Sequence, residues 1–313
     1  RIEGLKTDPD RVGMRKMMDI WGIGRASAAE LVYQGYRTID QVRRALKEEI
    51  LDLNYHRRVG VECYEDFLEK MNRTEVEAIG EIVRKAVLEN LPKAEVTIMG
   101  SYRRGKQECG DVDILITDPS FVRETPKGFL GRLVTRLEKS GSMAFHLTNA
   151  EGLHETGTDS SQSPPTEESI HSKKSAQVLI GHNHFSSQMY MGVFNSPIHA
   201  GKRRRIDIKF YPYRERAFAI VFFTGNGWFN RSMRLWAKRV KKMRLNDHGL
   251  FPAGDRHNVP TPADRLPMEA STESQVFDLL GLVYKEPHER TCFDDVIGKD
   301  GVRSVKFEPS KSE

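Results

Sequence analysis

The segment "GSYRRGKQECGDVDILI", residues 100–116, combines a Gly-Ser pair, three basic residues and two aspartates in one short stretch. Asp111 and Asp113 alternate with apolar residues, a pattern typical of a β-strand. Because residues i and i+2 of a strand point to the same face, the two carboxylates should project together. Aspartate is depleted in strands, and neighbouring carboxylates repel each other unless a cation lies between them. The segment therefore predicts a site where a divalent cation meets an anionic substrate.

A third carboxylate lies in a second strand-like run, "RRRIDIKFY", residues 203–211. Alternation places Asp207 and its two basic neighbours on one face, while the apolar residues between them face a core. If the two strands are neighbours, Asp207 meets Asp111 and Asp113. Oxygen-rich sites hold Mg²⁺, and two such ions about 3.5–4 Å apart can bind the attacking and leaving oxygens in phosphoryl transfer. The three aspartates are the predicted catalytic and metal-binding residues; the alternative is that they only cap strands at the surface.

The Gly100–Ser101 pair follows the strand-like run "EVTIM" and predicts a tight turn beside the aspartates. Glycine lets backbone N–H groups approach an anion, and the Ser101 hydroxyl adds a donor. The Arg104 guanidinium can bind phosphate oxygens through two parallel hydrogen bonds. The turn is therefore a predicted binding site for phosphate groups of a substrate.

Charge is unevenly distributed along the 313-residue chain, whose net charge at pH 7 is +5. Between Lys202 and Arg244 there are fourteen Lys or Arg residues against two acidic residues. Such a region is suited to a polyanion, and a solvated basic face is the simpler alternative. The three cysteines form no CxxC pair, which favours a reducing compartment. No apolar run approaches the length of a membrane span, so no membrane association is expected.

The pattern of secondary structure changes along the chain. Residues 14–92 carry short helical patterns, including "MRKMMDIWGIGRASAAELVYQG", in which two helices flank a turn at Gly22–Gly24. After Pro92 come short β-branched or aromatic runs that are predicted as strands: "AEVTIMG", "DVDILIT", "MYMGVF", "RRIDIKFY" and "FAIVFF". One predicted helix, "GFLGRLVTRLEKSG", interrupts them. Helices followed by a mixed strand-and-helix unit predict an α+β fold.

Three units are predicted from these changes: a helical unit at 1–92, a mixed-sheet unit at 93–218 and a small α+β unit at 219–313. The segment 149–177 is rich in Ser, Thr, Glu and Pro and is predicted to be a flexible insertion in the second unit. In the third unit, "FFTGNGWFNRSMRLWAKRVKKMRL" should begin as a strand and become a helix after Asn226 or Gly227, with cations along one side. All three tryptophans are expected to be packing residues.

Four segments together resemble the family X DNA polymerases, closest to the polymerase beta and lambda branch: "GSYRRGK…GDVDIL", "RRIDI", "FFTGNGWFNRSMR" and "YKEPHER". The resemblance runs from about Met14 to Arg290. It implies a nucleotidyltransferase palm, preceded by an all-α helix-hairpin-helix DNA-binding subdomain and followed by a C-terminal subdomain that binds nucleotide and template. It also implies a templated, gap-filling DNA polymerase that acts as a monomer in the nucleus, in base excision repair or double-strand break repair. Its expected substrates are gapped duplex or broken DNA ends, together with deoxynucleoside triphosphates.

The resemblance also assigns roles to individual residues. Asp111, Asp113 and Asp207 would bind two Mg²⁺ ions, with Mn²⁺ as an alternative. The residues expected at the incoming nucleotide are Ser101, Arg104, Gly110, Lys70, Phe222, Phe223, Gly225 and Asn230. The residues expected at the DNA are Gly22, Gly24, Arg205, Arg231 and Arg234. In the helix-hairpin-helix, the carbonyls of Met18, Ile20 and Ile23 would hold a monovalent cation against a primer phosphate.

The sequence departs from the family pattern at several positions. Phe222 stands where the beta and lambda branch has Tyr, and Lys70 replaces an expected Arg, which keeps the charge but loses the planar fork. The insertion at 149–177 occupies the loop that terminal transferase and polymerase mu use in synthesis with little or no template. Template-independent nucleotide addition is therefore one alternative function, and non-catalytic binding of DNA ends is another. Because the chain lacks an initial Met, we expect it to be part of a longer protein, in which the lyase domain of this branch would precede residue 1.

Overall fold

The computed structural model describes residues 7–148, 187–252 and 268–303. Its helices are α1 Pro9–Met18, α2 Arg25–Tyr33, α3 Ile39–Lys47, α4 Tyr55–Glu62, α5 Tyr64–Leu68, α6 Arg73–Leu88, α7 Gly100–Arg103, α8 Phe129–Lys139, α9 Arg216–Thr224, α10 Gly227–Arg239 and α11 Glu273–Leu280. Its strands are β1 Met71–Asn72, β2 Glu95–Ile98, β3 Glu108–Cys109, β4 Val112–Thr117, β5 Met143–His146, β6 Gln188–Asn195, β7 Arg203–Phe210, β8 Met243–Leu245 and β9 Leu250–Pro252. The predicted insertion at 149–177 lies outside the described residues. Within the described ranges, no helix is both long and apolar enough to cross a lipid bilayer.

A five-stranded mixed sheet, in the order β2-β4-β7-β6-β5, forms the centre of the fold. β4 and β7 run parallel, and the other neighbouring pairs are antiparallel. One face of this sheet packs beneath α6 and α8, in a core that includes Val83, Leu133, Ile114 and Ile208. Four of the five predicted strands and the predicted α+β fold are thereby confirmed.

The fifth predicted strand, "FAIVFF", is wrong: these residues belong to helix α9. Phe218 and Val221 are buried in the core of the C-terminal unit, whereas Ala219 is buried with Leu115 on the second face of the sheet. Because the helix packs against two cores, it is apolar around most of its circumference, and a short run of this kind does not distinguish a helix from a strand. The helix predicted after Asn226 is confirmed as α10.

Two smaller units flank the sheet in the chain. In the N-terminal unit, α1 to α5 surround a core that includes Met17, Ile20 and Val42. α1 and α2 flank a turn in which Gly22 has a φ of +82°, a conformation that favours glycine. The helix, turn and helix predicted here are confirmed. The unit boundary at residue 92 stays a prediction, and α6 before it packs on the central sheet.

The C-terminal unit contains α9, α10, α11 and the hairpin β8–β9 around a separate apolar core. The segment after Arg290, for which the sequence offered no interpretation, packs on this unit as far as it is described. The Ser232 hydroxyl donates to the carbonyl of Phe293 at 3.0 Å. The Lys299 ammonium lies 2.7 Å from a carboxylate oxygen of Asp278 in α11.

A buried ion pair joins β7 to α6. The side chains of Arg204 and Glu75 are 2% and 1% exposed, and Arg204 Nε donates to Glu75 Oε1 at 2.7 Å while its Nη2 donates to Oε2 at 3.2 Å. Ser196 Oγ donates to the same carboxylate at 2.7 Å, and Arg204 Nη1 donates to the carbonyl of Asp66 at 3.2 Å. The pair therefore connects strand β7, helix α6 and the end of the N-terminal unit.

Removing one member of this pair should be strongly destabilising, because it leaves a buried charge without its partner. We expect Glu75→Ala to lower the free energy of unfolding by roughly 3–5 kcal/mol, measured by urea denaturation. Glu89→Ala, which breaks the exposed pair with Arg136, should cost at most about 1 kcal/mol. The double change Glu75→Leu with Arg204→Met should recover most of the loss. Equal effects of the two single alanine variants would contradict this account.

The thiol of Cys63, which is buried between the N-terminal unit and the sheet, should be unreactive. Burial beside Val59, Leu147 and Val193 raises the pKa of Cys63 to about 11, so the thiol is almost wholly protonated at pH 8. The exposed Cys292 should therefore be alkylated first by iodoacetamide, as followed by peptide mass spectrometry. Cys292→Ser should remove this early labelling, and alkylation of Cys63 at the rate of Cys292 would contradict the prediction.

Candidate active site

The three predicted carboxylates lie together at the second face of the sheet. Asp113 in β4 and Asp207 in β7 are direct register partners of the parallel pair, and Asp111 immediately precedes β4. Their side chains are 18–30% exposed. The neighbouring strands predicted from the sequence therefore do bring these acids to one place.

Two cations on β7 accompany the carboxylates. Lys209 Nζ lies 2.7 Å from Asp113 Oδ1 and 3.6 Å from Asp207 Oδ2, and Arg205 donates to Asp111. Among the described residues, no three carboxylate, imidazole or thiol groups are already gathered as a set of metal ligands. Each of the three acids instead forms an ion pair with Arg205 or Lys209 on the same sheet face.

The donor set nevertheless fits a divalent cation. Asp207 Oδ1 is buried and has no hydrogen-bond partner in the protein. Burial raises the pKa of Asp207 and of Asp111, and the charge of Asp113 raises that of Asp111 further, while Lys209 and Arg205 oppose these shifts. A divalent cation among the three acids would supply the positive charge and the oxygen ligation that this cluster lacks.

The Gly-Ser pair before β4 begins a helix of one turn, α7, instead of the predicted tight turn. Gly100 has a φ of +58°, and a Cβ atom at this position would collide with the carboxylate of Asp113. The Gly100 backbone therefore approaches Asp113 as closely as a residue without a side chain allows. Arg104 follows α7, and its guanidinium donates to the carbonyl of Thr224 in the C-terminal unit at 2.6 Å.

The Lys70 side chain reaches the backbone of Gly110, the residue directly before Asp111. The Lys70 ammonium lies 3.0 Å from the point that a Cβ of Gly110 would occupy. The antiparallel pairing of Met71 with Cys109 holds the two segments in register. The structure thus brings a cation predicted to face the triphosphate next to the residue that precedes Asp111.

The predicted sugar and base contacts lie at the end of α9 and the start of α10. The Lys209 ammonium is 4.7 Å from the ring centre of Phe223, which connects this group to the carboxylates. Asn230 Nδ2 donates to the carbonyl of Phe222 at 2.6 Å, and the Arg234 guanidinium is 5.8 Å from the Phe222 ring. Gly225 connects the two helices, and a Cβ there would lie 3.1 Å from the Arg104 guanidinium.

Trp228 does not pack in the interior as expected. Its side chain is 53% exposed, with the Arg231 guanidinium 4.7 Å from its ring centre and the Phe293 ring 4.9 Å away. Its position in the first turn of α10 places it outside the core to which Trp236 belongs. The expectation was wrong because a helix that packs on one side leaves part of its first turn in solvent.

The helix-hairpin-helix residues form a separate group in the N-terminal unit. Gly24 is the N-cap residue of α2, and no side chain forms a capping hydrogen bond at this end of the helix. The N–H of Ile23 donates to the carbonyl of Ile20 at 3.1 Å. Ile20 and Ile23 are buried, whereas Met18 is half-exposed. The contacts of this group lie in the N-terminal core and not at the carboxylates.

A bridge between the sheet and the C-terminal unit was not predicted from the sequence. Glu273 accepts from Arg103 Nη2 at 2.5 Å and from Arg290 Nη1 at 2.7 Å. Arg103 also donates to Thr224 Oγ1 at 2.6 Å. Arg290 is fully buried, and its guanidinium lies 5.2 Å from the ring centre of Phe277. The only signal in the sequence was Arg290, the final residue of "YKEPHER", one of the four segments that carry the family resemblance.

Three family profiles match the chain: the fingers domain of DNA polymerase lambda over residues 15–68, the DNA polymerase beta palm over 70–162 and the DNA polymerase beta thumb over 219–291. DNA polymerase lambda of Arabidopsis thaliana is 33% identical over 297 residues, which cover 93% of this chain and 48% of that protein. DNA polymerase lambda of Rattus norvegicus is 34% identical over 274 residues, covering 87% and 41%. DNA nucleotidylexotransferase of Eulemur macaco is 29% identical over 296 residues, covering 93% and 54%. The chain thus spans about half the length of the curated relatives it matches.

The mixed sheet with its three acids and basic one-turn helix is a polymerase-type palm, and the profile match covers most of its strands. The flanking helical units match the fingers and thumb profiles. The chain belongs to the family X DNA polymerases. The family predicted from the four sequence segments is confirmed.

Gly100 offers a direct test of the site geometry. Gly100→Ala should displace the Asp113 carboxylate and lower kcat/KM for nucleotide incorporation roughly a hundredfold, the loss expected for a displacement of about 1 Å. Gly105→Ala is the matched control, because Gly105 also has a positive φ, of +77°, but a Cβ there meets nothing within 4 Å. Similar losses in both variants would show that backbone strain, and not the contact with Asp113, is responsible.

Proposed function

We propose that this chain is a templated DNA polymerase that adds deoxynucleotides to a primer 3′-hydroxyl in short gaps or at joined broken ends. The convergence of three carboxylates from β4 and β7 beside the basic helix α7 carries this proposal. Its place of action would be the nucleus, in base excision repair or double-strand break repair, as a monomer. The two relatives named DNA polymerase lambda support this choice.

Asp111, Asp113 and Asp207 would hold two Mg²⁺ ions, with Mn²⁺ as an alternative. Such ions lower the pKa of an attacking hydroxyl and stabilise the charge that develops on the leaving pyrophosphate. Arg205 and Lys209 reduce the repulsion among the three acids, and they oppose the upward shift that burial gives the pKa of Asp111 and of Asp207.

The nucleotide would lie between α7 and the start of α10. Its triphosphate would meet Ser101, Arg104, the backbone of Gly110 and Lys70. Its sugar would lie beside the segment from Phe222 to Gly225, and its base edge beside Asn230. The contact of Arg104 with the Thr224 carbonyl supports this arrangement, because it brings the phosphate-binding and sugar-binding segments together.

The DNA would be bound along the three predicted units, 1–92, 93–218 and 219–313. At the N-terminal unit, the N–H groups around Gly22 and Gly24 and a monovalent cation on the carbonyls of Met18, Ile20 and Ile23 would bind a primer phosphate. Arg205, which pairs with Asp111, and Arg231 and Arg234 in α10 would bind primer and template. The helix N-terminus at Gly24 without a side-chain cap supports the first of these contacts.

Asp207→Ala tests the catalytic assignment. We expect incorporation to fall roughly thousandfold or more, a loss of at least about 4 kcal/mol in transition-state stabilisation, while affinity for gapped DNA changes little. Single-turnover incorporation with Mg²⁺ and an electrophoretic binding assay measure the two quantities. Asp40→Ala, at an exposed acid of the N-terminal unit, is the control and should behave like the parent protein. Retained activity in Asp207→Ala would overturn the assignment.

The incorporation assay, carried out with the parent protein, distinguishes a templated polymerase from a terminal transferase and from a non-catalytic binder of DNA ends. Incorporation of the complementary nucleotide only, and only in a one-nucleotide gap, supports a templated polymerase. Comparable addition to the same primer without a template would establish a terminal transferase instead. Binding of DNA ends without any Mg²⁺-dependent incorporation would establish a non-catalytic binder.

A further inference from the structure

The fourteen basic residues between Lys202 and Arg244 fall into two groups in the structure. Those in the first group lie within 3.8 Å of a carboxylate oxygen: Lys202, Arg203, Arg204, Arg205, Lys209, Arg214 and Arg216. Those in the second group form no ion pair with any described acid: Arg231, Arg234, Lys238, Arg239, Lys241, Lys242 and Arg244. The polyanion-binding face predicted for the whole region is therefore confined to helix α10 and the residues that follow it.

The unpaired cations of α10 lie on one exposed face. Arg231, Arg234 and Lys238 follow each other at three- and four-residue steps, and all three are exposed. The residues that the helix buries lie on its opposite face: Phe229, Ser232, Met233, Trp236 and Ala237. Lys241 and Lys242 continue the run of exposed cations beyond the end of the helix at Arg239. The cations thus form a stripe that begins next to the predicted sugar-binding segment and ends before β8.

The helix macrodipole accounts for only part of this stripe. Lys238 and Arg239 lie in the last turn of α10, where positive charge stabilises a helix. The same effect does not reach Arg231 and Arg234 in the first half of the helix. Like charges at three- and four-residue spacing also repel each other, and no described acid offsets that repulsion. A polyanion bound along the stripe would remove this unfavourable term.

The two ends of the stripe differ in their surroundings. The Arg231 and Arg234 guanidinium groups lie 4.7 Å and 5.8 Å from the ring centres of Trp228 and Phe222. The cations at the far end have neither an acid nor an aromatic ring as a partner among the described residues, and we call them the distal cations: Lys238, Arg239, Lys241 and Lys242. The nucleotide and DNA contacts proposed above assign no role to them.

We infer that the distal cations bind phosphates of the template strand beyond the templating base, an inference that rests on the proposed function. That function places the primer at the N-terminal unit and the template at Arg231 and Arg234. At 1.5 Å per residue, Lys238 lies about 10 Å along the helix from Arg231, which equals about three nucleotide steps of 3.4 Å. A template strand that follows the exposed face of α10 therefore reaches Lys238 and then Lys241 and Lys242.

The chemistry of the distal cations fits a contact that does not read sequence. Three of the four are lysines, whose ammonium group is a compact charge on a flexible stem. Such groups bind phosphate oxygens and fix the path of a strand without distinguishing its bases. We therefore expect the contact to depend on the length of the template and on salt, and not on the template sequence.

The first test compares two DNAs with the same labelled primer, whose templates extend one or ten nucleotides beyond the templating base. Affinity is measured by fluorescence anisotropy over a range of salt concentrations, without any nucleotide. We expect the longer template to bind more tightly and with a steeper salt dependence. Three additional contacts to a single strand should increase the slope of log K against log salt by about 2.

The second test removes three distal cations through the combined change Lys238→Ala, Lys241→Ala and Lys242→Ala. At roughly 0.1 M salt, this variant should bind the longer DNA at least about tenfold more weakly than the parent protein, and its salt slope should fall by about 2. Its affinity for the shorter DNA should change much less, because that template ends before it reaches Lys238.

A matched control removes the same total charge elsewhere. Lys93→Ala, Lys127→Ala and Lys139→Ala together change three exposed lysines of the sheet unit and should leave the difference between the two DNAs intact. Equal thermal unfolding midpoints by circular dichroism show that both triple variants are folded.

Two results would overturn the inference. One is an equal loss of affinity for both DNAs, or no loss, in the distal variant. The other is a labelled deca-glutamate peptide that distinguishes the parent protein from the distal variant when the longer DNA does not, which would assign the distal cations to an acidic protein segment. Because the binding assay contains no nucleotide, a failure of incorporation in the parent protein would overturn the proposed function without changing these readings.

Discussion

The parallel pairing of β4 with β7 is the constraint on which the rest of this structure depends. It places Asp113 and Asp207 at the same level of adjacent strands, with Asp111 directly before them. Such a group of acids is costly to hold together, because partial burial and mutual repulsion both oppose ionisation. Lys209 and Arg205 on the same strand face reduce that cost. The position of the three acids therefore depends on the register between β4 and β7 and on the charge pattern of β7.

The opposite face of β7 anchors this arrangement. While Asp207 and Lys209 face the active site, Arg204 points to the other side and forms its buried pair with Glu75 of α6. Ile206 and Ile208 on that face pack in the main core. A shift of β7 by one residue would exchange the two sets, burying the active-site acids and exposing the ion pair and the isoleucines. Register, core and site are therefore set by the same alternation.

This alternation is also what made the site predictable from the sequence. Strands β4 and β7 carry polar residues at every second position, so their faces and the meeting of three aspartates could be predicted. Helix α9 could not, because its short apolar run has no polar face to reveal its period. The bridge through Glu273 joins residues 170 positions apart in the chain, and no local pattern indicates such a partner. Trp228 was misjudged because burial of an aromatic ring depends on what packs over it.

Glu273 limits how the parts of this protein can be exchanged with those of its relatives. One carboxylate binds Arg103, next to the predicted phosphate-binding segment of the palm, and Arg290, at the end of the segment that matches the thumb profile. The thumb is therefore not an independent module, because its own buried arginine shares an acid with the palm. A chimaera that takes this unit from a relative must keep an acid at 273 and an arginine at both 103 and 290. Recombination at the boundary between palm and thumb is constrained by three residues that lie far apart in the sequence.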